Sequence, residues 1–576
     1  MSYRAPVSEI AFALDAMAGF GRLAAEDGGF PDLDRETTLA VLEAAGELAE
    51  GVLAPLNREG DRVGARLENG RVRLPPGFAE AFRAFGEGGW NGLAADPAYG
   101  GQGLPRALHL AVFEMAHAAN MAFALAPTLT AGAIDALAEH GDERQKRVVL
   151  PRLVSGAWSG TMNLTEPQAG SDLGLVRARA EPDGAGRYRL TGEKIFITWG
   201  DHDGAENIAH LVLARLPDAP AGVKGISLFL ACRSRIDAEG RLLEANALRV
   251  GGLEHKLGIH ASPTCVMLFE GAEAELVGQP NAGLAHMFTM MNAARLNVGV
   301  QGVGIAERAF QQALAYAGER RQGRSPWSPD PTARIVDHPD MRRRLGLMKA
   351  RIQAARGICL SAGVAADLAR AASDPEVRAA ARRREDLLTP VAKAWSTDLG
   401  VEAASEGVQV HGGMGFIEET GAAQHYRDAR IAPIYEGTNA IQALDLAGRK
   451  LVLDDGRAMR ELLADIRSTV AGLDGALAGP AARLTAGCEA VEASADWLLA
   501  HRASADALAG AVPFLRLVGD VTGGWMLAKA AAADPARAPF AALYAEHVLA
   551  AAPAVGEAVR SGAGPLEGMT AEVLGG

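Results

Sequence analysis

The sequence predicts an α+β fold that is mainly α-helical and divided into several domains. Its 576 residues are roughly four times the common domain length of about 150 residues. Alanine is abundant over most of the chain and favours helix. Short β-prone runs are concentrated between about residues 160 and 283, so we expect one compact β-domain among helical domains.

The composition is that of a folded globular protein, with 49% hydrophobic and 22% charged residues. The formal net charge is −13, which disfavours non-specific binding to nucleic acid or to an anionic membrane. Aromatic residues make up only 5% of the chain and leave little material for stacking bases. We therefore expect neither a nucleic-acid partner nor a membrane partner.

The N-terminal part of the chain is expected to be helical, with residues 1–35 as an extension and residues 36–159 as an α-domain. A Gly- and Pro-rich stretch at residues 96–105 predicts a loop between its helices. Residues 115–134 contain no Asp, Glu, Lys or Arg, which raises the alternative of a membrane span. Pro127 instead predicts two buried helices broken at that residue.

Residues 160–282 are expected to form the middle β-domain. Tyr188 and Leu190, and later Ile195 and Ile197, alternate with polar or small residues as in a half-buried strand. Further β-prone runs are separated by Gly, Pro and Asp, at residues 210–216, 225–231 and 265–270.

Helix returns in the last two predicted domains, at residues 283–450 and 451–576. A seam of apolar and small residues spaced alternately four and three apart predicts a long bundle helix, with Asp337 as its N-cap. The seam consists of Met341, Leu345, Met348, Ile352, Ala355, Cys359 and Ala362. After residue 451 the chain carries 9 basic and 15 acidic residues, so this all-α appendage is acidic.

The cysteines and the N-terminus indicate a cytoplasmic protein. The four cysteines are far apart and include no Cys-x-x-Cys pair, so neither a disulfide framework nor a zinc site is predicted. The first 20 residues lack the basic region, apolar run and cleavage site of a secretory signal. His255 and His260 are interpreted as hydrogen-bonding loop residues, and no metal is expected.

Four segments carry candidate chemistry. Residues 162–172 and 409–416 are rich in Gly and short polar side chains, so their backbone could approach a ligand closely. In the strand-like run at 192–200, Phe196 and Thr198 are two residues apart and share one face. Taken singly, each of these segments is also typical of an ordinary turn or strand.

The fourth segment, residues 427–439, contains the carboxylate Glu436. Its neighbours Ile434 and Tyr435 are largely apolar, and desolvation by such neighbours raises a carboxyl pKa and suits a general base. The alternative interpretation is a solvated turn residue.

Taken together and in this order, these segments resemble the acyl-CoA dehydrogenase family. The specific motifs are Leu-Thr-Glu-Pro-Gln-Ala-Gly-Ser-Asp at residues 164–172 and Ile-Tyr-Glu-Gly-Thr at residues 434–438. The resemblance extends to about residue 450. It implies an N-terminal α-domain, a middle β-domain and a C-terminal four-helix bundle, with FAD bound between them. The extra helical domain resembles a longer branch of the family, which includes 3-methylmercaptopropionyl-CoA dehydrogenases.

The resemblance implies a role for each matching residue. Glu436 is the catalytic base, which takes the α-proton of an acyl-CoA thioester while the β-hydrogen leaves as hydride to flavin N5. The implied FAD-binding residues are Met162, Leu164, Thr165, Ser171, Phe196, Thr198, Arg320, Gln409, Gly412, Gly413 and Thr438. The implied substrate-binding residues are Ser171, Asn292, Arg295 and Gly437.

Arg320 and the segment 409–413 match residues that reach the FAD of a neighbouring subunit, so the resemblance implies a homodimer or homotetramer. It also implies a role in fatty acid metabolism, with an electron-transferring flavoprotein as the electron acceptor. An acyl-CoA oxidase, which passes its electrons to oxygen, remains an alternative. A DNA-associated flavoprotein is a further alternative, which the acidic appendage disfavours.

Overall fold

The computed structural model describes residues 3–184 and 186–576 and is mainly helical, as predicted. The N-terminal part begins with a short helix that packs on the later bundle, and then forms a helical layer with one small hairpin. Its elements are α1 (Val7–Phe12), α2 (Arg35–Leu48), α3 (Ala54–Val63), β1 (Arg66–Glu68), β2 (Arg71–Arg73), α4 (Phe78–Glu87), α5 (Arg106–Ala119), α6 (Met121–His140) and α7 (Glu143–Val154).

The predicted helix break at Pro127 is wrong, because the break lies at Asn120. Asn120 has an extended backbone, and its side-chain oxygen accepts a hydrogen bond from the Phe123 N–H at 3.1 Å, which caps α6. Pro127 lies inside α6. An internal proline costs one backbone hydrogen bond, and the burial of its whole surroundings compensates this loss.

Two stretches are long and apolar enough to cross a membrane by length and composition. The first is α6, and 83% of its apolar window is buried inside the protein. The second runs from Pro535 to Arg560 and is 33% buried. The structure divides that second stretch into helices of ten and nine residues, each shorter than a bilayer span.

The middle domain contains a seven-stranded sheet, formed by β3 (Trp158–Asn163), β4 (Arg179–Pro182), β5 (Tyr188–Thr198), β6 (Asn207–Arg215), β7 (Ile226–Cys232), β10 (Leu248–Leu253) and β11 (Thr264–Val277). The strand order is β10-β11-β5-β4-β6-β3, and β7 pairs with both β11 and β6. The domain's apolar side chains form two separate cores. One packs against α6 and α7, and the other consists mainly of side chains from the strands themselves. Two further strands, β8 (Ser234–Ile236) and β9 (Leu242–Ala245), pair with each other in a separate two-stranded sheet.

Strand β5 contains a bulge that the alternating pattern did not predict. Cys265 faces Ile197 and Met267 faces Lys194, so two residues of β5 lie opposite the single residue Val266. One of those two residues, Phe196, has a positive φ of 60°. The bulge leaves Phe196 58% exposed beside the buried Ile197.

Three long helices, α8 to α10, dominate the next domain, and α9 runs antiparallel to both α8 and α10. The predicted seam lies on α9 and is buried from Leu345 to Ala362. The predicted N-cap Asp337 is one residue early, because His338 occupies the N-cap position of α9 without a side-chain capping hydrogen bond, while the Asp337 carboxylate binds Arg334 and Arg342. The elements are α8 (Gly283–Glu319), α9 (Pro339–Ala371), α10 (Pro375–His411), α11 (Ala422–Ala429), α12 (Asn439–Asp445) and α13 (Leu451–Leu453).

The C-terminal appendage packs directly on this bundle and shares one continuous apolar core with it. Trp395 of the bundle donates a hydrogen bond to the Asp520 carboxylate at 3.0 Å, and Arg537 pairs with Glu9 of α1. The helices are α14 (Arg457–Val470), α15 (Ala478–Ala500), α16 (Ala505–Ala533), α17 (Ala538–His547), α18 (Ala552–Arg560) and α19 (Ala571–Gly575).

Candidate active site

Glu436 lies on a tight turn between α11 and α12, and its backbone is left-handed. Its φ is 58°, and the following Gly437 has a φ of 83°. A non-glycine residue in this region costs about 1–3 kcal/mol and persists only where its surroundings fix it. A side-chain carbon at Gly437 would lie 2.8 Å from Gln442 Nε2, so this position also requires glycine.

Side chains from two helices hold the turn. Gln442 of α12 donates from Nε2 to the Glu436 carbonyl at 3.2 Å. Lys393 of α10 donates from Nζ to the Gly437 carbonyl and to Asn439 Oδ1, both at 2.9 Å. The Thr438 hydroxyl accepts from the Ile441 N–H and caps α12. The carbonyl groups of Glu436 and Gly437 are therefore both held by side-chain hydrogen bonds.

The electrostatic surroundings of Glu436 suit a base that works near neutral pH. Burial raises the pKa of Glu436 to about 7, although the positive charges of Arg295 and Lys393 oppose this rise. A carboxyl with a pKa close to the working pH is an effective general base. Burial likewise lowers the pKa of Lys393 to about 7 against the attraction of Glu436 and Asp398.

Arg295 is a buried cation beside the turn. It is 5% exposed, and a side-chain carbon at Gly437 would lie 3.8 Å from its Nη2. Its Nη1 lies 3.8 Å from Asp445 Oδ2, at the edge of ion-pair distance. Of the two predicted α8 residues, the structure thus brings Arg295 to Glu436, whereas Asn292 is exposed and accepts a 3.3 Å hydrogen bond from Arg295.

Several buried polar atoms around Glu436 have no protein partner. The Tyr435 hydroxyl donates to Gln301 Oε1, which leaves the Gln301 amide nitrogen unpaired. Among the residues that the structure describes, Arg295 Nε and Gln442 Oε1 also lack hydrogen-bond partners. Buried polar groups are normally satisfied, so these atoms indicate a place for a polar ligand or for ordered water.

The middle domain contributes the exposed aromatic ring of Phe196. The Ile195 N–H donates to the Thr165 carbonyl at 2.9 Å, which joins the 164–172 loop to the bulge at Phe196. Thr165 and Thr198 are half-buried, as is Met162, whereas Leu164 is buried. Ser171 lies further along the loop and is exposed.

A buried ion pair anchors this loop, and the sequence interpretation missed it. Lys194 donates from Nζ to Glu166 Oε1 at 2.7 Å and to the Leu164 carbonyl at 3.0 Å. The Glu166 carboxylate also accepts the backbone N–H groups of Arg177 and Ala178. Glu166 lies in the segment 162–172 and Lys194 in the segment 192–200, and their opposite charges could have indicated an ion pair between the two segments.

The other predicted residues form a separate group at the far end of the bundle. The rings of Tyr316 and His411 stack with centroids 4.5 Å apart, which places Arg320 near Gly412. Arg320 is about 37 Å along α8 from Arg295, at 1.5 Å per residue over 25 residues. Arg320, Gln409, Gly412 and Gly413 are all exposed.

The two histidines predicted to be loop residues, His255 and His260, both lie in the loop between β10 and β11, and His260 contacts Asp61 and the Lys256 carbonyl. Across residues 3–184 and 186–576, the structure has no group of three or more His, Cys, Asp or Glu residues placed to hold a metal ion.

Four family descriptions match the chain. Residues 35–157, 161–272 and 281–451 match the acyl-CoA dehydrogenase N-terminal, middle and C-terminal domains. Residues 462–570 match a domain described as acetyl-CoA dehydrogenase C-terminal like.

Two similar proteins cover nearly the whole chain. A 3-methylmercaptopropionyl-CoA dehydrogenase from Ruegeria pomeroyi is 48% identical over 542 residues, which are 93% of this chain and 92% of that protein. The broad-specificity linear acyl-CoA dehydrogenase FadE5 from Mycobacterium tuberculosis is 35% identical over 92% of this chain and 90% of that protein.

Two solved structures have the same fold. Caenorhabditis elegans ACDH-11, in complex with C11-CoA, has a TM-score of 0.78 at 20% identity and covers 95% of this chain and 92% of its own. An acyl-CoA dehydrogenase from Bacillus anthracis, complexed with FAD, has a TM-score of 0.75 at 21% identity and covers 92% of this chain and 88% of its own.

Proposed function

The chain belongs to the acyl-CoA dehydrogenase family of FAD-dependent oxidoreductases, and we propose that Glu436 is the base with which it converts an acyl-CoA to the 2,3-enoyl-CoA. The observation that carries this proposal is the position of Glu436. It is a carboxylate on a strained turn, with a pKa near 7 and with unpaired polar atoms around it.

The residues of the structure fit FAD. Phe196 offers an exposed ring on a strained backbone, and the half-buried Thr165 and Thr198 provide hydroxyl groups on the adjoining loop and strand. At Gly412 and Gly413 a side-chain carbon would meet nothing within 4 Å, so the backbone there is open to a phosphate group. When bound, FAD supplies the acceptor for the hydride that leaves the β-carbon.

The protein's own part is to remove the α-proton and to stabilise the charge that develops on the thioester oxygen. The Glu436 carboxylate takes the proton. The Glu436 N–H has no acceptor among the described residues, so it is available to the thioester carbonyl oxygen. A preplaced donor at that oxygen favours the enolate-like transition state. Gly437 on the turn and Arg295 beside it are proposed to contact the CoA thioester, with Ser171 and Asn292 further out.

Replacing the base tests this proposal. The Glu436→Gln variant should retain FAD, because Glu436 is not among the FAD-binding residues, but an acyl-CoA should no longer bleach its flavin absorbance. The Glu418→Gln variant, which changes an exposed carboxylate outside the turn, is the matched control and should bleach normally. Bleaching of Glu436→Gln at the wild-type rate would refute the assignment of the base.

For the substrate we propose 3-methylmercaptopropionyl-CoA, supported by the 48% identity to a dehydrogenase named for it. A panel of acyl-CoA thioesters, scored by the rate of flavin reduction, tests this proposal. It predicts the fastest reduction with the 3-methylmercaptopropionyl thioester. Equal or faster reduction by linear acyl-CoAs would instead favour a broad specificity like that named for the Mycobacterium tuberculosis relative.

We further propose an electron-transferring flavoprotein as the acceptor, a homodimer or homotetramer, and a cytoplasmic location. All four cysteines are free and buried, which supports a reducing compartment. The separation of Arg320 and Gly412 from Glu436 supports an FAD shared between subunits. Peroxide formation without an added acceptor would favour the oxidase alternative, and a monomer that retains FAD would refute the shared site.

A further inference from the structure

Lys393 is a buried ammonium group beside the candidate base. Its side chain is 0% exposed on α10. Among the described residues, the hydrogen-bond acceptors of its Nζ are uncharged oxygens, and it forms no ion pair with a carboxylate. A buried lysine without a paired carboxylate is rare, because burial of an unpaired charge is costly. Such a residue calls for a specific reason at its position.

Both hydrogen-bond acceptors of Lys393 belong to the turn that carries Glu436. Nζ donates to the Gly437 carbonyl and to Asn439 Oδ1, each at 2.9 Å. Asn439 is held to α10 independently, because its Nδ2 donates to the Ala394 carbonyl and to Asp398 Oδ1. Lys393 and Asn439 together therefore hold the turn against α10, and we call this pair of contacts the clamp.

The turn needs this restraint because Glu436 and Gly437 both have positive φ angles. Gln442 donates a hydrogen bond to the Glu436 carbonyl, and Lys393 donates one to the Gly437 carbonyl. These two hydrogen bonds hold the two peptide groups that follow the Glu436 Cα, so they restrict the ψ angle of Glu436 and both backbone angles of Gly437.

The positive charge of Lys393 also affects Glu436, in addition to the hydrogen bonds that hold the turn. The charged groups that influence Lys393 are Glu436, Asp398 and Arg295. Those that influence Glu436 are Arg295 and Lys393. Below pH about 7, where Lys393 is protonated, its positive charge favours the ionised carboxylate and keeps more of Glu436 in the form that accepts a proton.

We propose that Lys393 is a positioning residue for Glu436, which clamps the strained catalytic turn through Gly437 and Asn439 and supplies a cation that favours the ionised base. This inference rests on the proposed role of Glu436. An ordinary structural lysine would contribute to stability alone, so the test needs measurements that stability does not change.

The experiment compares three variants as FAD-bound enzymes. Lys393→Met removes the charge and the clamp, and Asn439→Ala removes half of the clamp but keeps the charge. Lys349→Met is the matched control, because Lys349 lies on the adjacent helix α9 and pairs with Glu9 and Glu307 away from the turn. For each variant, flavin reduction per bound FAD is followed against pH, and amide hydrogen exchange is measured for residues 431–445.

Lys393→Met should slow flavin reduction at least tenfold, raise amide exchange in the turn, and move the acidic limb of the pH profile upward by about one unit, the lower end of a close charge effect. Asn439→Ala should slow reduction and raise exchange while the acidic limb stays in place. Lys349→Met should change none of these quantities.

The proposal would be overturned if Lys393→Met had the same flavin reduction rate, the same acidic limb and the same amide exchange in the turn as Lys349→Met. If Lys393→Met does not retain FAD, Asn439→Ala decides, and unchanged exchange and rate in that variant would overturn the clamp. If the wild-type flavin is reduced by no acyl-CoA, the proposed function fails. Faster turn exchange in Lys393→Met would then still support the clamp, and unchanged exchange would refute it.

Discussion

Removing Arg356 should destabilise the whole helical core. Arg356 of α9 is 1% exposed and lies between Glu114 of α5 and Glu307 of α8, with its Nη2 at 2.6 Å and 3.0 Å from their carboxylates. Burial raises the pKa of Glu114, whereas Arg356 and Lys349 outweigh burial at Glu307 and lower its pKa. Without Arg356, two buried carboxylates would face each other.

The expected loss for Arg356→Met is about 3–5 kcal/mol in the free energy of unfolding, the usual cost of leaving a buried charge unpaired. The control is Arg351→Met on the same helix. Arg351 pairs with Glu402, whose side chain is 61% exposed, and such a pair contributes about 0–1 kcal/mol. Urea unfolding of the FAD-bound protein, followed by circular dichroism, measures both values.

The stability of Arg356→Met should also depend on pH in a particular direction. Its two carboxylates would have folded-state pKa values raised above those of the unfolded chain, so the folded variant gains protons as the pH falls. The stability deficit against wild type should therefore shrink from pH 8 to pH 5. Adding Glu114→Gln and Glu307→Gln should recover part of the loss at pH 8. A deficit no larger than that of Arg351→Met would refute the reasoning.

Two further predictions concern the middle domain and the N-terminal domain. Glu166→Gln should weaken FAD retention, since it removes the charge that pairs with Lys194 and loosens the loop of Thr165; FAD content after gel filtration measures this, and wild-type content would contradict it. Asn120→Ala should cost about 1 kcal/mol of stability through loss of the cap on α6; urea unfolding measures this, with Gln279→Ala at an exposed position as the control, and equal midpoints would contradict it.

Local sequence pattern predicted the mainly α-helical fold and the buried seam of α9, because an apolar repeat of four and three residues reports directly on one helix face. It did not predict the β1–β2 hairpin, whose strands have three residues each and are mostly exposed. The break predicted at Pro127 in α6 was also misplaced, because it was inferred from local sequence alone. A buried proline can remain helical when tertiary packing compensates its missing bond, and local propensity does not include that packing.

The candidate site divides in a similar way. Glu436 could be predicted from its apolar neighbours and its motif, but its left-handed backbone could not, because residues from α10 and α12 impose it. Lys393 is 44 residues before Gly437 in the chain and reaches it only through the fold. The bulge at Phe196 likewise depends on the register between β5 and β11.

The most direct test of Glu436 as the base is the pH dependence of flavin reduction by acyl-CoA in a single turnover. Burial raises the pKa of Glu436 to about 7, and the base must be ionised to accept the α-proton. The rate for wild type should therefore rise with pH up to about 7 and then level off, and Glu436→Gln should stay oxidised at every pH. A rate that is independent of pH between 5.5 and 8, or the same rising limb in Glu436→Gln, would contradict the assignment.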